Sequence, residues 1–270
     1  MAEVQERKQV HIAMFSGGAA SAYVAYKMVQ TYGKENCILF FTNTLWEDED
    51  NYRFMDEVTE YIGVEITEVI DGRTPEEVFY DYGYLGNSRV AKCSEELKVY
   101  QTLVFLEELR DKKNLEPILY FGIGPHETHR RDNLTNFYEH YPIEPIETRF
   151  PLIDQFRTDV DLKAIIENEW KIKLPRMYDL GFSHANCGGR CVRGGYGHYA
   201  RLYRVWPERY KEQEEMEERF RQHFDKNVSI LEKNGKSFTL KEYREQMERE
   251  GVDKYIDIVD KKMPCVCSFS

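Results

Sequence analysis

Short apolar runs alternate with amphipathic stretches along the first 150 or so residues of the chain. Runs rich in Val, Ile, Phe and Tyr recur at 9–15, 37–42, 64–70, 117–123 and 145–150, each of strand length. Apolar positions at helical spacing fill most of the intervals, at 19–32, 49–62, 75–82 and 94–112. Strands alternating with helices predict an α/β fold: a doubly wound, mostly parallel sheet with helices on both faces and right-handed crossovers. The segment TPEEVF at 74–79 predicts a helix start, with Thr74 as N-cap, Pro75 in the first turn and Glu77 closing a capping box.

Beyond residue 150 the pattern changes. FPLIDQFRTDVDLKAIIENEW predicts a loop and then a helix, while YDLGFSHANCGGRCVRGGYGHY, rich in Gly, Cys and His, predicts irregular structure. PERYKEQEEMEERFRQHF predicts a charged, solvent-facing helix opened by Pro207, and TLKEYREQMEREG a helix stopped by Gly251. The predicted organisation is an α/β domain over 1–155 with a smaller helical, cysteine-rich region over 156–270 packed on it.

At 270 residues the chain can bury one sizeable core with a smaller appendage. Its net charge of −11 argues against a protein that coats nucleic acid, though not against a local basic groove. The N-terminal stretch lacks a signal peptide's apolar region, and no run of about 18 apolar residues predicts a membrane span. The expectation is a soluble, cytoplasmic protein. Thiols stay reduced in that compartment, so the six cysteines need a reason other than disulfides.

The turn after the first strand reads FSGGAASA. A Gly-Gly pair lets the backbone turn tightly and present its N–H groups to an anion at the start of the following helix, with Ser16 and Ser21 adding hydroxyls. The spacing is neither a Walker loop nor a dinucleotide fingerprint. Its bland alternative is a tight turn built from small residues for helix–sheet packing.

Here the sequence resembles the PP-loop superfamily, and more narrowly its phosphoadenylyl-sulfate (PAPS) reductase-like branch. FSGGAASA is similar to that superfamily's Ser-Gly-Gly-x-x-Ser pyrophosphate loop. Four further segments follow in order: FFTNTLWEDEDNYRFMDEV, KCSEELKVY, FGIGPHETHRRDNL and RFPLIDQFRTDVDLKAII. The resemblance implies an adenine nucleotide alpha-hydrolase-like fold, with the nucleotide across the carboxyl ends of the strands. It implies that Ser16, Gly17, Gly18 and Ser21 hold phosphates and that Thr42, Asn43 and Thr44 lie near the adenosine. Gly122, Gly124, Arg130 and Arg131 would close the site, with Arg130 acting on the reacting group. Without that context Arg130 and Arg131 could equally be an exposed pair making surface ion contacts. Ala19 and Ala20 replace the Lys-Asp of ATP-hydrolysing members, Asn43-Thr44-Leu45 replaces Asp-Thr-Gly, and Gln155 or Phe156 stands where Trp is usual. Lys92, Lys98, Arg130 or Arg131 could supply the missing cation.

Cys37 sits in an apolar run and reads as core. NCGGRC brings Cys187 and Cys191 around a Gly-Gly, PCVC places Cys265 and Cys267 near the C-terminus, and Cys93 precedes a predicted helix, whose N-terminus would lower its pKa. These five could converge on one soft metal, as a [4Fe-4S] cluster or tetrahedral zinc, or they could be unrelated thiols. His184 and His198 flank the loop as ligands, substrate contacts or structural histidines. Arg190, Arg193, Arg201, Arg204 and Arg209, with Tyr196, Tyr199 and Tyr203 among them, could contact phosphates and stack bases or could pack the C-terminal region.

Three functions stay open. The first is ATP-dependent, AMP- and pyrophosphate-forming sulfur transfer to RNA, DNA or a small acceptor, with Mg2+ and a cysteine desulfurase as sulfur donor. The second is reduction of PAPS or APS (adenylyl sulfate) to sulfite with thioredoxin, using Cys93, Cys265 or Cys267 as nucleophile. The third is a nucleotide-binding subunit without turnover. Oligomerisation is left open.

Overall fold

In the computed structural model, which describes residues 7–87, 90–154 and 161–258, five strands form one all-parallel sheet. They are β1 (Lys8–Met14), β2 (Cys37–Asn43), β3 (Ile66–Ile70), β4 (Leu115–Tyr120) and β5 (Glu147–Arg149), in the spatial order β3-β2-β1-β4-β5. The chain steps outward from β1 to β3 and then crosses to the other side of β1 for β4. The sheet therefore reverses direction between β1 and β4, and such a switch point opens a crevice at the carboxyl ends of the strands.

Alternating side chains of β1 serve opposite faces. Ala13 and Phe15 join Leu39 and Phe41 beneath α1 (Ala19–Tyr32) and α2 (Glu49–Ile62). Val10, Ile12 and Met14 face the other way with Phe40 and Leu119. That second face is covered after α3 (Pro75–Tyr82), α4 (Lys92–Ser94) and a π-helical turn (Glu95–Tyr100), by α5 (Gln101–Lys113) and α6 (Thr128–His140). After α7 (Pro151–Asp154), the helix α8 (Leu162–Asn168) and the following Trp170, Ile172 and Leu174 pack on the first face.

A third apolar cluster lies further along the chain. After α9 (Arg176–Asp179) it gathers α10 (Tyr196–Val205), α11 (Pro207–Phe224), the hairpin β6 (Leu231–Lys233) and β7 (Lys236–Phe238), α12 (Leu240–Glu250) and α13 (Asp253–Ile256). Trp46, Phe79 and Leu85 join this cluster from the earlier part of the chain.

The ends of α1, α2 and α3 fall where sequence spacing puts them. Thr74 and Glu77 form the capping box, the Glu77 N–H donating to Thr74 Oγ1 (3.3 Å) and the Thr74 N–H to Glu77 Oε2 (2.6 Å). Strand β4 stops at Tyr120 rather than running to 123. The Phe121 N–H still bonds Arg149 O, and the chain then bends at Gly122 against α1.

One expectation is corrected. The charged helix α11 is not simply solvated: it buries Glu214 and Glu217 along with Tyr210, Met216 and Phe220. Glu214 meets Arg244 at 2.7 Å, and Glu217 accepts the backbone N–H groups of Ile230 and Leu240 at 2.7 Å each. The hairpin β6–β7 was not predicted, because three-residue strands are too short to show an alternation. Among the described residues no helix is long and apolar enough to cross a membrane.

Candidate functional site

The glycine loop sits at the switch point. Gly17 adopts φ +73°, the left-handed region that disfavours a Cβ, and a Cβ there would lie 2.5 Å from Asn51 Oδ1. Gly18 is the N-cap of α1 and carries no side-chain cap, and no acidic residue occupies the first turn. The Ala19 N–H donates to the hydroxyl of Tyr178 at 3.4 Å, and the helix keeps its positive dipole end at the crevice that Tyr178 also lines. The Ser21 hydroxyl donates to Gly18 O (2.9 Å) and accepts from the Ser16 N–H (3.3 Å), which fixes the curl of the loop. Gly122, just past β4, approaches this turn so closely that a Cβ would lie 2.6 Å from the Ser21 N.

A cavity of about 200 Å³ opens between the loop and the segment after β4. Ser16, Gly18 and Ser21 line one side, Gly122, Glu127 and Arg130 another, and Ser183–Asn186 close it. Arg130 is buried and ion-paired with Glu127, yet its Nη2 has no acceptor. His184 Nε2, both amide atoms of Asn51 and Thr44 Oγ1 are likewise buried without a partner. Buried polar groups are normally satisfied, and two of these side chains, Arg130 and His184, line the cavity. The groups around the cavity, backbone N–H groups, hydroxyls, a guanidinium and an imidazole, are of the kinds that can hold an anion.

The segment after the cavity wall carries the paired thiols. Cys187 has φ +58°, unusual for a residue with a Cβ, and its N–H donates to Glu47 Oε2 at 2.8 Å. Burial pushes the Glu47 carboxyl above its ordinary value, against the opposing pull of Lys98, 3.8 Å away on the π-helical turn, and of the Cys187 N–H. The Cys187 thiol is held well above its usual value, first by its hydrogen bond with Cys191 and then by burial. Beside them, Asp48 caps α2 and receives Arg176 in a bidentate pair (2.8 and 2.8 Å) and Arg209 (2.8 Å). Burial alone would raise the Asp48 carboxyl, but the two guanidinium groups outweigh it and the net shift is downward. Arg209 also donates to Gly188 O (3.1 Å), and Arg190 to Trp46 O (3.2 Å). The cysteine loop is therefore fastened to the segment that follows β2.

The predicted site residues divide as follows. Ser16, Gly18, Ser21, Gly122 and Arg130 line the cavity, and Gly17 shapes its loop. Thr42, Asn43 and Thr44 are buried at the end of β2, where Asn43 is occupied: it donates to Glu68 (2.8 Å) and accepts from Tyr52 OH (2.8 Å) and the Leu45 N–H (2.8 Å). Gly124 opens the turn Pro125–Glu127, and Arg131 turns away to Asp132. Cys93 lies within α4 and packs against the C-terminal cluster. Among the described residues no group of three or more His, Cys, Asp or Glu side chains is arranged to hold a metal ion. Cys265, Cys267, Gln155 and Phe156 lie outside the described residues.

The arginine–tyrosine group is largely committed to the protein itself. Arg201 donates to Ile256 O and Arg204 pairs with Asp253, besides the bonds of Arg190 and Arg209. Tyr199 is fully buried, and Tyr196 and Tyr203 pack against the same cluster. Sequence reasoning missed Glu47, Asp48, Asn51, Arg176 and Tyr178. The one available signal was the acidic run WEDED directly before a helix.

The family model for the phosphoadenosine phosphosulfate reductase domain matches residues 11–187. That span holds β2 to β5 and most of β1, the glycine loop, the cavity wall and the first cysteine of NCGGRC. No curated protein matches the chain.

Proposed function

The chain belongs to the phosphoadenosine phosphosulfate reductase domain family, a branch of the PP-loop adenine-nucleotide enzymes, and we propose that it carries out nucleotide-dependent sulfur chemistry at the crevice between β1 and β4. The observation that carries this reading is one of continuity. The wall Ser183–Asn186 of the phosphate cavity runs directly into Cys187, whose thiol is hydrogen-bonded to Cys191. One wall of the cavity and a dithiol thus share one segment.

The leading reaction is AMP-forming sulfur transfer. A carbonyl oxygen of the acceptor, a nucleic-acid base or a small molecule, attacks the α-phosphorus of ATP, and the bond to pyrophosphate breaks. A sulfane sulfur carried as a persulfide on one cysteine then attacks the activated carbon, and AMP leaves with the original oxygen. The second thiol attacks the resulting disulfide, frees the thiolated product and leaves a Cys187–Cys191 disulfide. A cysteine desulfurase-type donor supplies the persulfide, and a thioredoxin-type dithiol supplies the two electrons that reset the pair. The loop N–H groups, Ser16 and Ser21 hold the phosphates, and Arg130 offsets charge on the leaving group. Among the described residues Glu127 is the one carboxylate lining the cavity and is paired with Arg130, so a Mg2+ ion would enter with the phosphates of ATP rather than in a protein cage.

A second reading is favoured by the lining itself, which among the described residues holds no lysine beside the glycine loop. In sulfonucleotide reduction a thiolate attacks the sulfuryl sulfur and AMP or its 3′-phosphate leaves. A second thiol then displaces sulfite and forms a disulfide that thioredoxin reduces. Separate assays distinguish the two: pyrophosphate release from ATP with a candidate acceptor supports the first, and sulfite release from adenylyl or phosphoadenylyl sulfate supports the second. Tight nucleotide binding with neither product would make the chain a binding subunit and overturn both.

A further inference from the structure

A buried polar cluster beside the end of α1 joins three strands and a helix, and none of its members takes part in the chemistry above. His11 stands on β1 on the same face as Ala13 and Phe15 and is only 6% exposed. Its ring stacks on Tyr32, the last residue of α1, with 3.6 Å between centroids and 14° between planes. Its Nδ1 lies 2.9 Å from the hydroxyl of Tyr120, the last residue of β4. Arg149, at the end of β5, donates from Nη1 to both phenols, at 2.8 Å to Tyr32 and 2.9 Å to Tyr120, while its Nε holds Glu147 at 2.6 Å.

These contacts fix the proton arrangement. A guanidinium only donates, so each phenol oxygen accepts from Arg149. Burial and the bond to Tyr32 hold the Tyr120 phenol above its ordinary 10, so its proton is present to give to His11 Nδ1. The ring is then neutral, with its own proton on Nε2. Burial, and after it Arg149, hold His11 below its ordinary 6.5, against the pull of Glu147. The face of Tyr32 favours a cation weakly, and Cys37, opposite on β2, stays an uncharged thiol pushed up to about 11 by burial. Protonating His11 reverses its bond with Tyr120 and sets a second positive charge beside Arg149.

Tyr120 leads straight to the crevice. Phe121 gives its N–H to Arg149 O at 3.0 Å, and Gly122 then bends against α1, where a Cβ would lie 2.6 Å from the Ser21 N. Arg149 therefore grips the end of β4 by backbone and side chain just before the bend that presses on the glycine loop.

We propose that His11 is a positioning residue for the crevice: neutral, it keeps Tyr120 and Arg149 engaged so that Gly122 packs on the glycine loop, and protonated, it loosens that grip and weakens nucleotide binding. This rests on the reading of the crevice as a nucleotide site and adds control by acid to it.

The experiment is calorimetric titration of the full chain with ATP and adenylyl sulfate at about pH 8 and about pH 5.5, on either side of an ordinary histidine. The variants are His11→Asn, whose Oδ1 falls near the Nδ1 position and does not titrate, and Tyr120→Phe, which removes the hydroxyl. Comparing variant with wild type at each pH cancels the titration of the nucleotide itself. His11→Asn binds within about twofold of wild type at the higher pH and about threefold or more tighter than wild type at the lower. Tyr120→Phe loses most of the wild type's fall in affinity between the two, which decides the matter if the Asn variant does not fold. Linkage is reciprocal, so saturating nucleotide moves the wild-type His11 midpoint, read by NMR, down by about half a pH unit. A variant-to-wild-type ratio that is the same at both pH values, or a His11 midpoint that nucleotide leaves in place, would overturn the role of His11. A wild type that binds neither nucleotide at the higher pH overturns the nucleotide reading and this role with it, which is a different failure from binding that ignores pH.

Discussion

The backbone N–H of Cys187 donates to Glu47 Oε2 at 2.8 Å, joining the cysteine loop to the end of β2 across 140 residues of sequence. That bond holds Cys187 at φ +58°, where a side chain with a Cβ is strained by about 1 kcal/mol or more. On its other oxygen Glu47 faces Lys98 at 3.8 Å. One buried carboxylate thus sets the position of the thiols that the proposed chemistry uses.

Glu47→Ala leaves the Cys187 N–H unpaired and Lys98 without its carboxylate. Unfolding in urea should show a loss of about 2–3 kcal/mol. Thiol labelling of folded protein should also quicken, because the loop can relax out of its left-handed turn. Labelling as slow as in the wild type would mean that something else anchors the loop.

Asp48 takes three hydrogen bonds from two arginines while fully buried in its side chain. Removing its charge with Asp48→Asn strands Arg176 and Arg209 and should cost about 3 kcal/mol or more. The double variant Asp48→Asn with Arg209→Met should recover part of that loss. Simple additivity of the two changes would contradict a shared ion network.

Gly122→Ala places a methyl 2.6 Å from the Ser21 N, which backbone cannot yield without moving α1 or the end of β4. A stability loss of about 1–3 kcal/mol is expected. Nucleotide affinity should fall by about tenfold or more, since the same shift widens the phosphate loop. Unchanged affinity in a folded variant would detach the loop from ligand binding.

The pH dependence of stability carries a sign. His184 is pushed from the ordinary 6.5 down to about 3 by burial and neighbouring positive groups. A base with a depressed folded pKa contributes stability that is present above 6.5 and is lost as pH falls towards 3, by at most about 1.4 kcal/mol per pH unit. Glu217, pushed up to about 7 by burial, works in the opposite sense: its contribution is present below the ordinary 4.5 and fades as pH rises through 7. The test is therefore a difference. The stability gap between wild type and His184→Gln should move against the wild type by roughly 1–2 kcal/mol between pH 7 and pH 5. Parallel curves would show that His184 is not held neutral by the fold.

The sheet and its first helices were legible because their signals are local. Apolar spacing marks α1, α2 and α3, and a capping box marks the start of α3, without help from the rest of the chain, and the glycine loop declares itself by composition. The remainder of the site was not legible, because it is assembled from distant partners. Glu47 and Asp48 stand in the segment FFTNTLWEDEDNYRFMDEV with no role of their own until Cys187, Arg176 and Arg209 arrive more than a hundred residues later. The arginines of the C-terminal region read equally as a phosphate surface or as packing for that region, and Arg190, Arg201, Arg204 and Arg209 donate to Trp46 O, Ile256 O, Asp253 and Asp48. Asn51 and His184 gave no sign of their role, since an unpartnered buried atom exists only in three dimensions.

The central claim is that the loop Ser16–Ser21 at the β1–β4 switch point holds the phosphates of an adenine nucleotide. Calorimetric titration of ATP and adenylyl sulfate into the wild type and into Gly17→Val tests it most directly. Valine cannot adopt the left-handed turn and would strike Asn51. The account predicts saturable binding of at least one nucleotide by the wild type and a loss of about tenfold or more in a variant that still folds. Equal binding by the two proteins, or no binding by the wild type, would contradict it.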